Sequence, residues 1–297
     1  SGTLIRRAGD VRYEHDAQGR IVLRQKTRLS RKADTWHYEW DAEDRLISLT
    51  TPTGALWRYG YDALGRRITK QRLSADGQTV LERVTFVWDG ITLCEEVSQG
   101  ATMLNVVTLT WDHDDIRPLA QTERIATADA SQETLDERFF AIVTDLVGSP
   151  TELIEESGDL SWRTRRTVWG ATTWAKEDTA YTPLRFPGQY FDRESLLHYN
   201  YLRYYDTDVS RYISSDPIGL EGGPNPRWYG PNPHTWMDPL GLALCRIKPR
   251  LEDGNPKQGW QHIYERHIGG TAAGGHGDLM PPTTTRAQVE AAADRII

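Results

Sequence analysis

The chain has 297 residues, with 42 acidic against 35 basic side chains and a net charge of -7. At about 150 residues per domain, that length allows one large domain or two smaller ones, and the acidic balance disfavours a surface built for wholesale binding of nucleic acid or anionic membrane. No apolar run approaches the roughly 18 to 20 residues of a spanning helix, and the opening SGTLIRRAGD lacks the apolar core of a signal peptide.

Aromatic usage is uneven: Trp 11 and Tyr 13 stand against Phe 5. Rings with a polar tip suit half-buried sheet surfaces, where the ring packs and the hydroxyl or indole N–H finds a partner, so an all-β body is expected. Three segments then align: Tyr13–Ile21, Tyr38–Leu46 and Tyr59–Arg67. Each reads as strand, D-A-x-[GD] turn, strand, with Asp16, Asp41 and Asp62 opening the turns. An Asp can bond its own downstream backbone, and Gly19 and Gly65 can take the positive φ that a tight hairpin needs; Asp44 is a tolerated substitute. The alternation Trp57, Tyr59, Tyr61 stacks aromatics on one face.

Weaker copies of the unit follow at Phe86–Gly90 and Leu109–Asp112. Strand texture continues through Phe139–Val143, Thr151–Ile154 and Trp162–Trp169, with turns at 146–150 and 157–159, whereas Glu123–Arg138 reads as a polar linker or loop. An array of hairpins must close or cover its edges, which predicts a coiled sheet curling around something. Cys94 and Cys245 are too few for a disulfide framework and have no zinc spacing; they read as free buried thiols. No metal site or cofactor is expected.

The hairpin units resemble the YD repeats of the Rhs family. The stretch PLRFPGQYFDRESLLHYNYLRYYDTDVSRYISSDPIGLEGGPNPRWYGPNPHTWMDPLGL, from Pro183 to Leu242, is similar to the core that ends the shells of that family. The resemblance implies a mainly β fold in which YD-repeat hairpins form a coiled shell, with a small α+β toxin segment behind it. Its expected divisions are a shell at 1–182, a core or plug at 183–242 and a toxin segment at 243–297, the last truncated. It also implies an interbacterial effector that encloses a toxin, delivery by a type VI secretion system with its spike and chaperone components, action in the target-cell cytoplasm, and a cognate immunity protein.

Two near-copies of one motif, Asp216-Pro-Ile-Gly-Leu220 and Asp238-Pro-Leu-Gly-Leu242, lie before an abrupt change of texture. In each, the proline fixes φ and pushes the aspartate toward an extended conformation, and the glycine lets the chain turn sharply. Two aspartates brought together share a proton, one raised in pKa and one ionised, and so supply an acid and a base. The family resemblance implies self-cleavage of aspartyl-protease type just after this motif, between Leu242 and Ala243, with Asp216 and Asp238 as the pair. Arg203 and Arg211 are the candidate charge partners.

From Ala243 onward the chain carries 7 basic and 6 acidic groups, so nearly all the negative charge belongs to what precedes it. His262, His267 and His276 flank a Gly-rich loop. His262 and His267 are five apart and do not form an i, i+4 metal pair. Imidazoles near neutral pKa can serve both proton transfers of RNA cleavage, with Trp260 stacking on a base and Arg266 facing phosphate. The run is similar to pieces of metal-independent ribonuclease toxins, which implies RNA as the tail's substrate. An ADP-ribosyltransferase, a deoxyribonuclease, or a purely structural YD-repeat module are the alternatives. Thr285–Ile297 reads as an amphipathic helix with Thr284 or Thr285 as N-cap, Gln288 standing in the capping-box position of a Thr285 cap.

Overall fold

The computed structural model describes residues 4–101, 105–127, 136–246 and 285–288. The chain divides into two compact units, Ser1–Cys245 and Arg246–Ile297.

Among the described residues of the first unit, fifteen strands form one antiparallel sheet in strict sequence order, from Arg7–Ala8 to Thr172–Trp174. The repeated turn explains that regularity. Asp16 Oδ1 accepts from the Arg20 backbone N–H at 2.9 Å and its Oδ2 from Arg20 Nε at 2.6 Å. Asp41 holds Arg45 and Asp62 holds Arg66 in the same way. Gly19, Gly65 and, in the remaining copy, Asp44 take φ of 82°, 80° and 61°, the left-handed conformation the tight turn requires. The strand entering the third turn is buried at Trp57 and Tyr59 and exposed at Arg58, the alternation of a sheet with one wet face.

Two local expectations are corrected. The Glu123–Arg138 stretch is not simply a linker: the strand Arg117–Thr127 runs through its start, and Asp136–Thr144 begins before its end. Polar residues there form cross-strand pairs, Arg124 with Glu137 at 2.7 Å and Arg138 with Glu123 at 3.6 Å, so a charged sequence is compatible with a strand. The Leu109–Asp112 copy also lies within a strand, Asn105–Asp114, and the turn comes at Asp115, with φ 57°. Of the thiols, Cys94 is half-buried but Cys245 is exposed, because it sits in a two-residue strand paired only with Trp236–Met237.

A second sheet is made of Tyr190–Asp192, Leu197–Asn200, Arg203–Asp206 and Arg211–Tyr212. It forms one core with the inner face of the large sheet. Tyr13 donates to Asp206 at 3.0 Å, Arg67 holds Asp192, and the Arg166 guanidinium lies over Phe186, just ahead of this sheet, so the stretch from Phe186 to Asp206 touches strands from near one end of the large sheet to near the other. Laid flat, those strands would span roughly 60 Å at their usual spacing of 4.7–4.9 Å. The sheet therefore curls around the second sheet, as the edge argument predicts.

Buried charge fastens the two. Arg67 and Lys70 both reach Asp192, and Lys70 also reaches Glu194 at 3.1 Å. The Arg67 guanidinium lies 4.2 Å from the Tyr199 ring centre. The two cations hold the Asp192 carboxyl below the usual carboxylate range despite burial, which works the other way.

In the second unit, Thr285 Oγ1 accepts from the Gln288 N–H at 3.3 Å, while Gln288 Oε1 accepts from the Thr285 N–H at 2.8 Å. This is the reciprocal capping box expected from the sequence. The helix beyond Gln288 lies outside the described residues.

Candidate active site

The two DPxGL copies fold alike in backbone and differently in side chain. In each, the aspartate carbonyl accepts from the glycine N–H, and Gly219 and Gly241 take φ of 62° and 66°. The Asp216 carboxylate then caps its own turn, Oδ1 accepting from the Ile218 N–H at 3.0 Å, and a short 3-10 turn follows at Gly219–Gly222. The Asp238 carboxylate reaches further: Oδ1 accepts from the Leu242 N–H at 2.8 Å, which fixes the backbone at the expected scissile bond.

Arg203, on the third strand of the small sheet, joins the two carboxylates. Its Nη1 lies 3.0 Å from Asp216 Oδ2 and its Nη2 3.0 Å from Asp238 Oδ2. The same guanidinium donates to the carbonyls of Gly241 and Pro226, so one side chain holds both motifs and the segment between them. The guanidinium lies over the Tyr212 ring, 3.7 Å from its carbon to the ring centre, and the Tyr212 hydroxyl donates to Asp238 Oδ2 at 2.9 Å. Asn200 donates to the Asp238 carbonyl at 2.8 Å. Arg211 sits instead on the neighbouring strand, paired with Asp206.

Asp216, Asp238 and Arg203 are all buried, at 7%, 1% and 1% exposure, whereas Ala243 is exposed. A buried cation between two buried anions offsets repulsion that would otherwise drive them apart. Burial pushes the Asp238 carboxyl above its ordinary range and the Asp216 charge adds to this; Arg203, the Leu242 N–H and Tyr212 pull the other way. A raised carboxyl beside a second carboxylate is the arrangement that shares a proton.

Two glycines make room for the motifs. The Gly188 backbone lies where a Cβ would run into Pro239. A Cβ on Gly222 would meet Asp216 Oδ2 and lie 2.8 Å from the Leu242 carbonyl oxygen. Asp216 and the Leu242 carbonyl therefore line the same small space over Gly222.

The site thus brings together Asp216, Asp238 and Leu242, with Ala243 following at the surface. Tyr212, Asn200 and Gly222 have no sequence motif that marks them. The expected tail residues Trp260, His262, Arg266, His267 and His276 lie outside the described residues.

Comparison with known proteins places this geometry in context. The family model described as RHS Repeat matches residues 40–79, the span that holds the Asp41 and Asp62 turns. The chain is 35% identical over 252 residues to Double-stranded DNA deaminase toxin A of Burkholderia cenocepacia, covering 79% of this chain and 17% of that protein. It is 31% identical over 255 residues to Probable deoxyribonuclease RhsA of Dickeya dadantii, covering 86% and 17%. To Toxin protein Tse5 of Pseudomonas aeruginosa it is 33% identical over 270 residues, covering 82% and 20%. The chain thus spans about a fifth or less of the length of these relatives. Among solved structures, TcdB2-TccC3 without its hypervariable C-terminal region superposes with a TM-score of 0.55 at 19% identity, over 78% of this chain and 13% of that one; the likeness is one of fold.

Proposed function

Since the chain belongs to the Rhs/YD-repeat family, we propose that it is the shell-closing part of an interbacterial toxin that cuts itself between Leu242 and Ala243. The observation that carries this reading is the pair Asp216 and Asp238, joined by Arg203 beside the Leu242 backbone. In the working form the pair holds one proton. Water adds to the Leu242 carbonyl carbon as the ionised carboxylate takes its proton, and the protonated carboxyl gives its own to the carbonyl oxygen. Collapse of that adduct re-forms the carbonyl, breaks the C–N bond and passes a proton to the Ala243 nitrogen. Leu242 then ends one product as a carboxylate and Ala243 begins the other as an amine.

The divisions at 182 and 242 follow from the same reading, with 1–182 as wall, 183–242 as plug and 243–297 as the start of the cargo. Delivery by a type VI spike, a cognate immunity protein and action in the target-cell cytoplasm complete it. On a denaturing gel the wild-type chain should run as two bands and the Asp238→Asn chain as one. A single full-length band from both would remove the proposal.

For the cargo, the sequence supports a metal-independent ribonuclease working through His262, His267 and His276, with Trp260 and Arg266 on the substrate. The names of the relatives favour a second reading, action on DNA: one is called a DNA deaminase toxin and another a probable deoxyribonuclease. Each is similar to this chain over at least 79% of this chain's length while their names differ in activity, which supports a common shell with differing cargoes. Incubating the whole chain with RNA and with DNA, each with and without EDTA, separates the readings. RNA loss in EDTA that disappears in His262→Ala supports the first, and DNA loss alone supports the second.

A further inference from the structure

We infer that Gly222 is a positioning residue of the self-cleavage site: its missing side chain is the clearance through which Asp216 reaches the Leu242 carbonyl. The inference rests on the self-cleavage reading and divides the labour between the two aspartates.

Asp238 is fully engaged. Its Oδ1 accepts from the Leu242 N–H, and its Oδ2 from Tyr212 and Arg203. Those bonds fix the approach of the backbone to the bond that breaks. Asp216 spends Oδ1 on its own turn at Ile218 and pairs Oδ2 with Arg203. That Oδ2 is the atom facing the space over Gly222, and the Leu242 carbonyl oxygen faces it too. Asp216 Oδ2 is therefore the carboxylate atom placed to deliver to the carbonyl oxygen the proton that the pair shares, while Asp238 orients the chain.

Glycine at 222 is not there for its conformational freedom. Its φ lies outside the left-handed region, unlike those of Gly219, Gly223 and Gly241. It ends the 3-10 turn that follows the first DPxGL copy, and an alanine can adopt that backbone without strain. What alanine cannot do is share the space, since its methyl would displace either the carboxylate or the carbonyl. Neither can retreat cheaply. Arg203 and the Ile218 N–H hold the Asp216 carboxylate on one side of the space, and the Asp238 bond to the Leu242 N–H holds the backbone on the other.

Gly222→Ala is expected to slow self-cleavage on the order of a hundredfold or more, the loss typical of a misplaced proton donor. The full chain should keep its wild-type near-ultraviolet circular dichroism. Cleavage of Gly222→Ala within threefold of wild type would overturn the inference. A wild-type chain that stays whole would instead remove the self-cleavage reading, and this one with it. A second measurement covers a variant that folds poorly. In the uncut Asp238→Asn background, Gly222→Ala should lower the melting temperature clearly more when Asp216 is present than when Asp216→Ala has removed the nearer of the two contacts. Equal losses with and without the Asp216 carboxylate would mean that the methyl meets something else, and would overturn the inference independently of any cleavage.

Discussion

Arg203 is the residue on which the site turns. It is buried, it bridges two buried carboxylates, and it holds the backbone of both motifs through Gly241 and Pro226. Arg203→Met leaves two uncompensated buried anions and should cost about 3 to 5 kcal/mol of stability, read as a fall in urea midpoint at constant slope. Arg203→Lys keeps the charge but loses the planar fork, and should restore part of the stability while leaving cleavage slow. The Asp238 carboxyl would give the proposed self-cleavage a pH dependence. Because burial raises it, the one-proton form of the pair survives to higher pH than in ordinary aspartates and is lost as that proton leaves. Self-cleavage should therefore slow as pH rises, at a pH above the ordinary aspartate value of about 4; a rate that climbs steadily with pH, followed by gel, would show that another group does the chemistry. At this scale the sequence exposes what is repeated. The doubled DPxGL motif singles out Asp216 and Asp238, and Arg203 could be named only alongside Arg211. Tyr212, Asn200 and Gly222 carry no motif, because their roles come from the small sheet and the two DPxGL turns packing together, a contact between segments that no spacing encodes.

Among elements, the hairpin turn is the most legible unit, because its chemistry is local: an aspartate, a residue at positive φ and an arginine, all within five positions. Gly65→Ala puts a Cβ on a residue at φ 80° and also brings it 3.3 Å from the Leu202 side chain. It should cost about 1 to 2 kcal/mol, measurable by urea unfolding, whereas Asp44→Gly at the equivalent place should be neutral or mildly stabilising. Turns of the same backbone pattern recur at Thr51–Ala55, Asp145–Ser149, Glu155–Asp159 and Thr167–Ala171; the leading aspartate is kept at 145 and replaced by threonine or glutamate in the other three. Those copies are harder to see in sequence because the geometry needs a glycine and a side-chain oxygen more than it needs aspartate itself. The charged stretch at 123–138 misleads for the opposite reason. Its ion pairs form only across neighbouring strands, so a polar segment that reads locally as loop is held as sheet by its partners.

Over the whole first unit, a curled sheet is held to its filling by buried polar contacts as well as by rings. Asp192→Asn should leave Arg67 and Lys70 facing a neutral amide and cost about 3 to 5 kcal/mol in urea unfolding. His198 adds a pH term. It is buried, bonded through Nδ1 to Gln189 at 2.7 Å, and held well below its ordinary pKa by burial and then by Arg185 and Arg166. A depressed histidine contributes stability above the unfolded pKa of about 6.5 and loses it as pH falls below that value. The melting temperature should thus drop between about pH 7 and pH 5, and the drop should shrink in a His198→Gln chain. The all-β class and the curling sheet were readable from aromatic alternation and from the need to cover edges. The buried Arg67, Lys70 and Asp192 network was not, since each of those residues looks like ordinary surface charge until the second sheet closes over it. The central claim is that this buried pair of aspartates cuts the chain it belongs to. The most direct test is the intact mass of the purified 33.8 kDa chain. Two species, one ending at Leu242 and one beginning at Ala243, with Asp216→Asn and Asp238→Asn each leaving the whole chain, are the predicted result; an unbroken wild-type chain, or a break elsewhere that survives both substitutions, would contradict it.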